Sequence, residues 1–369
     1  MNLSILHIIT TIDLGGAENQ LLTLATCQRE AGFEVEVIFL KDKPTLLSSF
    51  LESDIKVNLS FAESGFLKQC LKLKQAPLRK NLVVHAHLPR AEMLCAFSLK
   101  PKSFVVTRHN SEPFFPKGPA ILSKLFSRFV LKRAYTSISI SKAVASYLKT
   151  SRELNSSETT SIIYYGLSDT TVSPKDKYEK QLQPIQIGTV SRLVPQKNLP
   201  LLLHTLQELN SMCSTSFELS VLGVGPLYNE LQSLAMKLGV GNAVFWKGQT
   251  KNVTSFYRSL DAFVLPSNYE GFGLVLLEAM SQGIPVIARR ISAIPEVMGE
   301  KHPGLVDSDK PADLARKIRE LLEDNKMLNE CLKYQATQLS EFSIKKTEIA
   351  HRRLYVRLIE QRKCVLNDI

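Results

Sequence analysis

No apolar run among the 369 residues is long enough to cross a bilayer. The opening MNLSILHIITTIDLGG carries neither a basic n-region nor a cleavage site, so it is not expected to act as a secretory signal. Six cysteines (Cys27, Cys70, Cys95, Cys213, Cys331, Cys364) show no paired spacing. That points to buried or free thiols in a reducing cytosol rather than to a disulfide frame or a zinc site. The full G-x-G-x-x-G fingerprint is missing, so a nicotinamide site is not indicated. Acidic residues are scarce, 35 against 46 basic ones, and the net charge of +11 implies anionic partners. What remains, 44% hydrophobic and 22% charged residues, is ordinary for a soluble globular chain with room for two cores.

The chain is organised around residues 263–288, FVLPSNYEGFGLVLLEAMSQGIPVIA. A short apolar strand, Ala262 to Leu265, is stopped by Pro266, which has no N–H. A polar loop, Ser267 to Gly273, leads into a helix from Leu274 to Gln282, ended by Gly283 and Pro285 before a second strand to Ala288. Such a βαβ unit places ligands at the carboxyl ends of its strands, beside the helix N-terminus. Glu270 is expected in the loop and Glu278 in the helix. Between them the amides of Gly271, Phe272 and Gly273 meet the positive end of the helix dipole. A ligand with an anionic centre and hydroxyls on both sides, such as a nucleotide sugar, fits that pattern. Taken alone, the two glutamates read first as a loop charge and a surface helix charge.

Upstream, GTVSRLVPQKN at 188–198 leaves a strand (Ile185 to Val190) and precedes a helix (Leu199 to Leu209). It brings Arg192 and Lys197, a planar fork and a point charge for phosphate, into one strand-to-helix loop. With E-x7-E at 270–278, LGGAE at 14–18 and IPEV at 294–297, the chain resembles the GT-B glycosyltransferases of the large retaining family 4, glycogen-synthase-like and lipopolysaccharide enzymes, over nearly its whole length. The resemblance implies an α/β GT-B fold, two Rossmann-like domains facing each other across a deep cleft. It also implies a retaining hexosyltransferase in which Arg192 and Lys197 hold the diphosphate. Glu270 then holds the hexose, Glu278 the ribose hydroxyls, and the Gly271 to Gly273 amides the phosphate. Gly223 lies near the nucleotide and Gly248 near the base. Gly15 and Gly16, in a tight turn after the first strand, reach donor phosphate or acceptor on the same basis. No nucleophile is evident, and neither a cofactor nor a metal is expected. Asp307-Ser308-Asp309 spells D-x-D, but its place before a late helix suits helix initiation better than metal binding.

In the first half, LVVHAH (82–87) and FVVTRHN (104–110) read as strands ending in histidine at the carboxyl edge. The resembled family has a functional histidine where His109 stands, near the sugar and the reacting centre. His87 matches a second recurrent histidine, and His85 shares its strand face. IIYYG (162–166) matches the family's strand-Asn-Gly step with Tyr165 in place of Asn. Residues 116–134 form an amphipathic basic helix with Ile121, Leu122, Leu125, Phe126, Phe129 and Val130 on one stripe, expected to face the core. Its basic back, with the lysines of 68–80, is available to an anionic membrane surface.

Domain limits follow. Residues 1–170 form an acceptor-binding domain and 171–345 a nucleotide-sugar domain, with a polar linker at 168–184 and a last helix, 346–369, crossing back to the first domain. The function expected is transfer from a UDP-sugar, ahead of a GDP-sugar, to a lipid-linked saccharide or a surface polysaccharide or lipopolysaccharide precursor on the cytosolic side of a membrane. Two alternatives stay open: a soluble GT-B enzyme on a small molecule or glucan (or an epimerase), and a non-catalytic binder. Nucleic acid is not the expected partner.

Overall fold

β-branched and leucine-rich runs alternate with helices along the whole chain, and in this computed structural model they assemble into two all-parallel sheets. The structure describes residues 3–367 apart from 78, 80, 117, 155–159, 173–183, 213–214 and 251. The expected linker at 168–184 lies mostly outside the described residues. The chain divides into one unit of Met1–Ser168 with Ser343–Ile369, and another of Asp169–Phe342.

The first unit holds β1 (Ser4–Ile9), α1 (Gly16–Glu30), β2 (Glu34–Phe39), α2 (Leu47–Glu52), β3 (Lys56–Asn58), α3 (Phe66–Gln75) and β4 (Leu82–His87). It continues with α4 (Pro89–Ser98), β5 (Phe104–Arg108), α5 (Ala120–Arg133), β6 (Thr136–Ser139), α6 (Lys142–Thr150) and β7 (Thr160–Ile162). The strand order is β3-β2-β1-β4-β5-β6-β7. Period-two alternation splits the apolar residues between two cores. Leu6, Ile8, Val84, Ala86 and Val106 face one way, and Ile5, Ile9, Val83, Val105 and Ile138 the other. The second face is closed in part by the final helix of the chain, whose Tyr355, Leu358 and Ile359 are fully buried there. Burying each of these is worth roughly 2–3 kcal/mol.

The second unit comprises β8 (Ile185–Val190), α7 (Leu199–Met212), β9 (Phe217–Leu222), α8 (Tyr228–Lys237), β10 (Val244–Gly248), α9 (Val253–Arg258) and β11 (Ala262–Leu265). Then come α10 (Leu274–Ser281), β12 (Val286–Arg289), α11 (Ile294–Met298), β13 (Leu305–Val306), α12 (Pro311–Glu323) and α13 (Asn325–Leu339), before α14 (Ile344–Asn367) returns to the first unit. The order is β10-β9-β8-β11-β12-β13. Leu202, Leu206 and Leu209 of α7 pack with Leu314, Ile318 and Leu321 of α12 beside Ile187, Leu219 and Val264 of the sheet. Because every strand is parallel, the chain leaves each sheet always at the same edge, and candidate side chains far apart in sequence collect there.

One expectation is overturned. The front half of the α5 stripe does not face the core: Ile121, Leu122 and Leu125 are exposed, and only Phe126, Phe129 and Val130 pack inward. The inward face is taken by Ser123 and Ser127. Ser123 Oγ accepts the Phe115 amide at 2.9 Å, and Ser127 Oγ accepts from Arg108 Nη2 at 2.9 Å and donates to Glu153. Small hydroxyls are needed on that side because a buried charged group lies beneath it. Arg108 Nε stands 3.3 Å from Glu92 Oε2, both nearly inaccessible. Burial, with Glu153 nearby, pushes the Glu92 carboxyl up to about 7 against the opposing pull of Arg108.

Candidate functional site

At the carboxyl edge of the second sheet three loops meet. Ser191 to Asn198 follows β8 and ends with Asn198 in the left-handed region (φ 49°). Gly223 to Gly225 follows β9 at such close range that a Cβ on Gly223 would lie 1.9 Å from the Ser191 carbonyl, and one on Gly225 2.5 Å from the Leu193 carbonyl. Gly223, at φ 141°, also donates its N–H to the Gly248 carbonyl at 2.6 Å, which ties the end of β10 to the same place. Gly223 and Gly225 are therefore required by packing whatever else they do, whereas Gly248 has open space around it and is favoured as glycine only by its φ of 63°. The third loop, 266–273, follows β11. Its Gly273, at φ 93°, turns the chain into α10, and its Phe272 is buried edge-on against Phe342 at 5.7 Å.

Glu270 is in the loop and Glu278 in α10, as the spacing predicts. Lys197 Nζ stands 2.6 Å from Glu270 Oε1, with both side chains largely buried, and Ser267 Oγ donates to the same oxygen at 2.7 Å. Backbone and amide contacts brace the pair: the Asn268 amide N–H donates to Gln196 O at 2.8 Å, and Gln196 Nε2 to Tyr269 O at 3.0 Å. Arg289 Nη1, from the end of β12, reaches Asn268 Oδ1 at 3.1 Å. Arg192 differs from Lys197. It is exposed, and among the described residues its guanidinium has no ion pair or hydrogen bond. Glu278 is half-buried and accepts from the Tyr257 hydroxyl at 2.8 Å. Burial raises its pKa, and the Tyr257 bond works against that rise. Tyr257, Ser267 and Arg289 carry no pattern that the sequence reading singled out, because their roles come from strands and helices meeting in space.

The first unit brings its predicted residues to the corresponding edge of its own sheet. Gly15 caps α1 in extended conformation and Gly16 begins it. A side chain at Gly16 would meet nothing within 4 Å, and one at Gly15 only the Glu18 carboxylate. His87 closes β4 and His109 follows β5. Their ring nitrogens are already engaged: His87 Nε2 with His7 Nδ1 at 3.0 Å, His87 Nδ1 with His109 Nε2 at 3.2 Å, and His109 Nδ1 with the Tyr165 hydroxyl. His85, two residues before the strand end, has its ring 4.1 Å from that of His87 and its nitrogens on Tyr355 at 2.7 Å and Thr107 at 2.6 Å. His7 was missed by the sequence reading, although a lone histidine inside SILHII was the available signal.

Nitrogens of His7, His85 and His87 fall within 4.8 Å of one another, the metal-like grouping among the described residues. Each is already used in the hydrogen bonds above, and no carboxylate belongs to the group. The D-x-D stretch behaves as a helix start: Ser308 Oγ donates to Asp313 at 2.7 Å and accepts the Lys310 amide at 3.1 Å, while Asp307 pairs with Arg290 at 2.7 Å. Cys27, Cys70, Cys95 and Cys331 are free thiols. Cys213 and the Cys364 side chain lie outside the described residues.

Residues 14–169 match the Glycosyltransferase Family 4 model and 173–338 the Glycosyl transferases group 1 model. An uncharacterized glycosyltransferase of Methanocaldococcus jannaschii is 26% identical over 282 residues, 75% of each chain. The lipopolysaccharide core biosynthesis mannosyltransferase LpsB of Rhizobium meliloti is 30% identical over 195 residues, 49% of this chain and 53% of LpsB. The crystal structure of Anabaena HepE in complex with UDP and glucose aligns over 100% of both chains with a TM-score of 0.78 at 21% identity. Two parallel-sheet α/β units with these neighbours make the fold GT-B and the protein a transferase of the glycosyltransferase class. The chain belongs to the family 4, group 1 glycosyltransferases.

Proposed function

We propose that the protein moves a sugar from a nucleoside diphosphate sugar, UDP ahead of GDP, to a hydroxyl of a lipid-linked saccharide or a surface polysaccharide or lipopolysaccharide precursor, with retention of configuration. The observation that carries the donor side is the pairing at the second sheet edge. There an exposed, unneutralised Arg192 stands in the same loop as a lysine already neutralised by Glu270. A dianionic diphosphate complements Arg192 and the start of α10, and it competes with Glu270 for Lys197. As charge develops on the departing diphosphate, both cations gain interaction energy, which is electrostatic catalysis. Glu270, released from Lys197, is then an acceptor for hexose hydroxyls, and Glu278 for ribose hydroxyls. Gly271, Phe272 and Gly273 supply backbone to the phosphate, with Gly223 and Gly248 beside the nucleotide. In the first unit, Gly15 and Gly16 are assigned to phosphate or acceptor, and His109 to the transferred sugar or acceptor. HepE in complex with UDP and glucose supports the donor class, and LpsB supports a lipopolysaccharide-type acceptor.

No metal is needed on this reading, because side-chain cations and a helix dipole do the neutralising. Full activity in excess chelator is the expected result, and a loss restored by magnesium or manganese would overturn it. Among the described residues no helix is long and apolar enough to cross a membrane. The exposed Ile121, Leu122 and Leu125 of α5 and Leu67 and Leu71 of α3, among exposed Lys68, Lys74 and Lys132, favour peripheral attachment to an anionic surface on the cytoplasmic side, where a lipid-linked acceptor is presented.

The test is calorimetric binding of a panel of nucleoside diphosphates and their sugars, without metal, to the wild type and to Arg192→Ala. One UDP- or GDP-sugar that binds the wild type and not the variant supports the reading and names the donor. No binding by any member sinks it.

A further inference from the structure

Five of the chain's seven histidines lie together in the first unit: His7, His85, His87, His109 and His351. One path of hydrogen bonds through the group is linear. Gln28 Oε1 meets His7 Nε2 at 2.8 Å, His7 Nδ1 meets His87 Nε2 at 3.0 Å, His87 Nδ1 meets His109 Nε2 at 3.2 Å, and His109 Nδ1 meets the Tyr165 hydroxyl. A carbonyl oxygen only accepts. With Gln28 Oε1 at the inner end, one proton arrangement satisfies every link: each of the three imidazoles carries its proton on Nε2 and accepts on Nδ1, and Tyr165 donates into His109. A proton pushed inward along this path has no base to receive it, since an amide is not protonated near neutral pH. The path therefore holds a tautomer and does not conduct.

We infer that Tyr165 is a positioning residue for His109, fixing its ring plane and its Nε2–H tautomer through the chain that ends at Gln28. The inference rests on the assignment of His109 to the transfer reaction. It is particular to this chain, because Tyr165 stands where the resembled family has Asn, and its ring extends the hydroxyl to His109 from a position that is itself buried. The groups that face His109 come from several elements. His87 comes from β4, Tyr165 from the segment after β7, His351 from α14, and Thr107 and Arg108 from β5. Burial, then the charges of His351 and Arg108, press His109 down to about 3, and burial presses His7 and His351 to about 4. A small cavity of about 20 Å³ lined by His87, His109, Tyr165, Thr347 and His351 has room for one water and no more. A sugar hydroxyl that seeks His109 Nδ1 must displace the Tyr165 hydroxyl, so Tyr165 also sets what His109 offers to a ligand.

The experiment is long-range ¹H–¹⁵N correlation on the full chain labelled at histidine, with the pH profile of kcat/KM for wild type and Tyr165→Phe. In the wild type His109, His87 and His7 are expected as Nε2–H tautomers that do not titrate above pH 5. In Tyr165→Phe the His109 Nδ1 signal shifts, the acid limb of the profile moves to higher pH, and kcat falls about five- to ten-fold. Nucleotide affinity, which belongs to the other unit, stays unchanged. A wild-type His109 carrying its proton on Nδ1, or titrating near 6.5, overturns the inference. So does a Tyr165→Phe chain with unchanged spectrum and profile. If the variant fails to fold, the wild-type spectrum alone decides. A chain with the stated tautomers that binds no nucleotide sugar would sink the donor reading and leave this inference standing.

Discussion

Lys197 and Arg192 sit in one loop with opposite prospects. Lys197 is clamped between Glu270 and the loop backbone, so Lys197→Ala leaves a largely buried carboxylate without its cation. We expect a loss of about 2–4 kcal/mol in unfolding free energy, read by denaturant titration. Arg192 is exposed and unpaired among the described residues, so Arg192→Ala leaves stability within about 0.5 kcal/mol while nucleotide binding is lost. Equal destabilisation by both would show that Arg192 is structural. The histidines make a second residue-scale prediction. His7 and His351 have folded pKa values lowered to about 4 from 6.5, chiefly by burial. The unfolded chain thus binds protons that the folded one refuses. Their contribution is fully present above pH 6.5 and is lost as pH falls toward 4, each costing about 2 kcal/mol by pH 5. Glu92 runs the other way. Raised to about 7, it favours the folded state below its ordinary range and loses that contribution as pH rises through 7. Urea midpoints at pH 7.5, 6 and 5 check both, with His7→Gln flattening the acid side and Glu92→Gln the neutral side.

At the level of elements, α5 shows how a polar buried cluster can reverse an amphipathic reading. Its apolar stripe was legible, but the direction of the stripe was not, because Ser123 and Ser127 face a buried arginine with two glutamates that no local pattern announces. The consequence is an exposed Ile121, Leu122 and Leu125. Leu125→Asp is expected to leave the melting temperature unchanged and to weaken co-sedimentation with anionic vesicles, most at low salt, where the added negative charge is least screened. Unchanged sedimentation would count against a membrane-facing α5. α10 is the opposite case. Strand, proline stop, loop, helix and the glycine-proline ending were all readable at 262–288, since each boundary is set by local backbone chemistry.

At the scale of the molecule, the last helix belongs to the first unit in all but sequence. Gly166 meets its start so closely that a Cβ would lie 2.6 Å from the Ile344 nitrogen, and Tyr355, fully buried, holds His85 at 2.7 Å. Tyr355→Ala should cost about 3–5 kcal/mol. A chain ending at Phe342 should leave the second unit able to bind nucleotide while the first loses its cooperative melting transition. Retained cooperativity would show that α14 is dispensable to the first core.

By itself the sequence determined the alternation of strands and helices, the two sheets, the loop positions of Arg192, Lys197 and Glu270, and the helix position of Glu278. These depend on side-chain period, proline and glycine, which act within a few residues. Only the tertiary structure decided that Lys197 neutralises Glu270, that Tyr257 holds Glu278, that α5 exposes half its stripe, and that Gln28, His7, His87, His109 and Tyr165 form one hydrogen-bonded chain. Those facts depend on which strands lie side by side and on how far burial removes water. Desolvation and hydrogen-bond partnership across tens or hundreds of residues leave no periodic mark in a single chain.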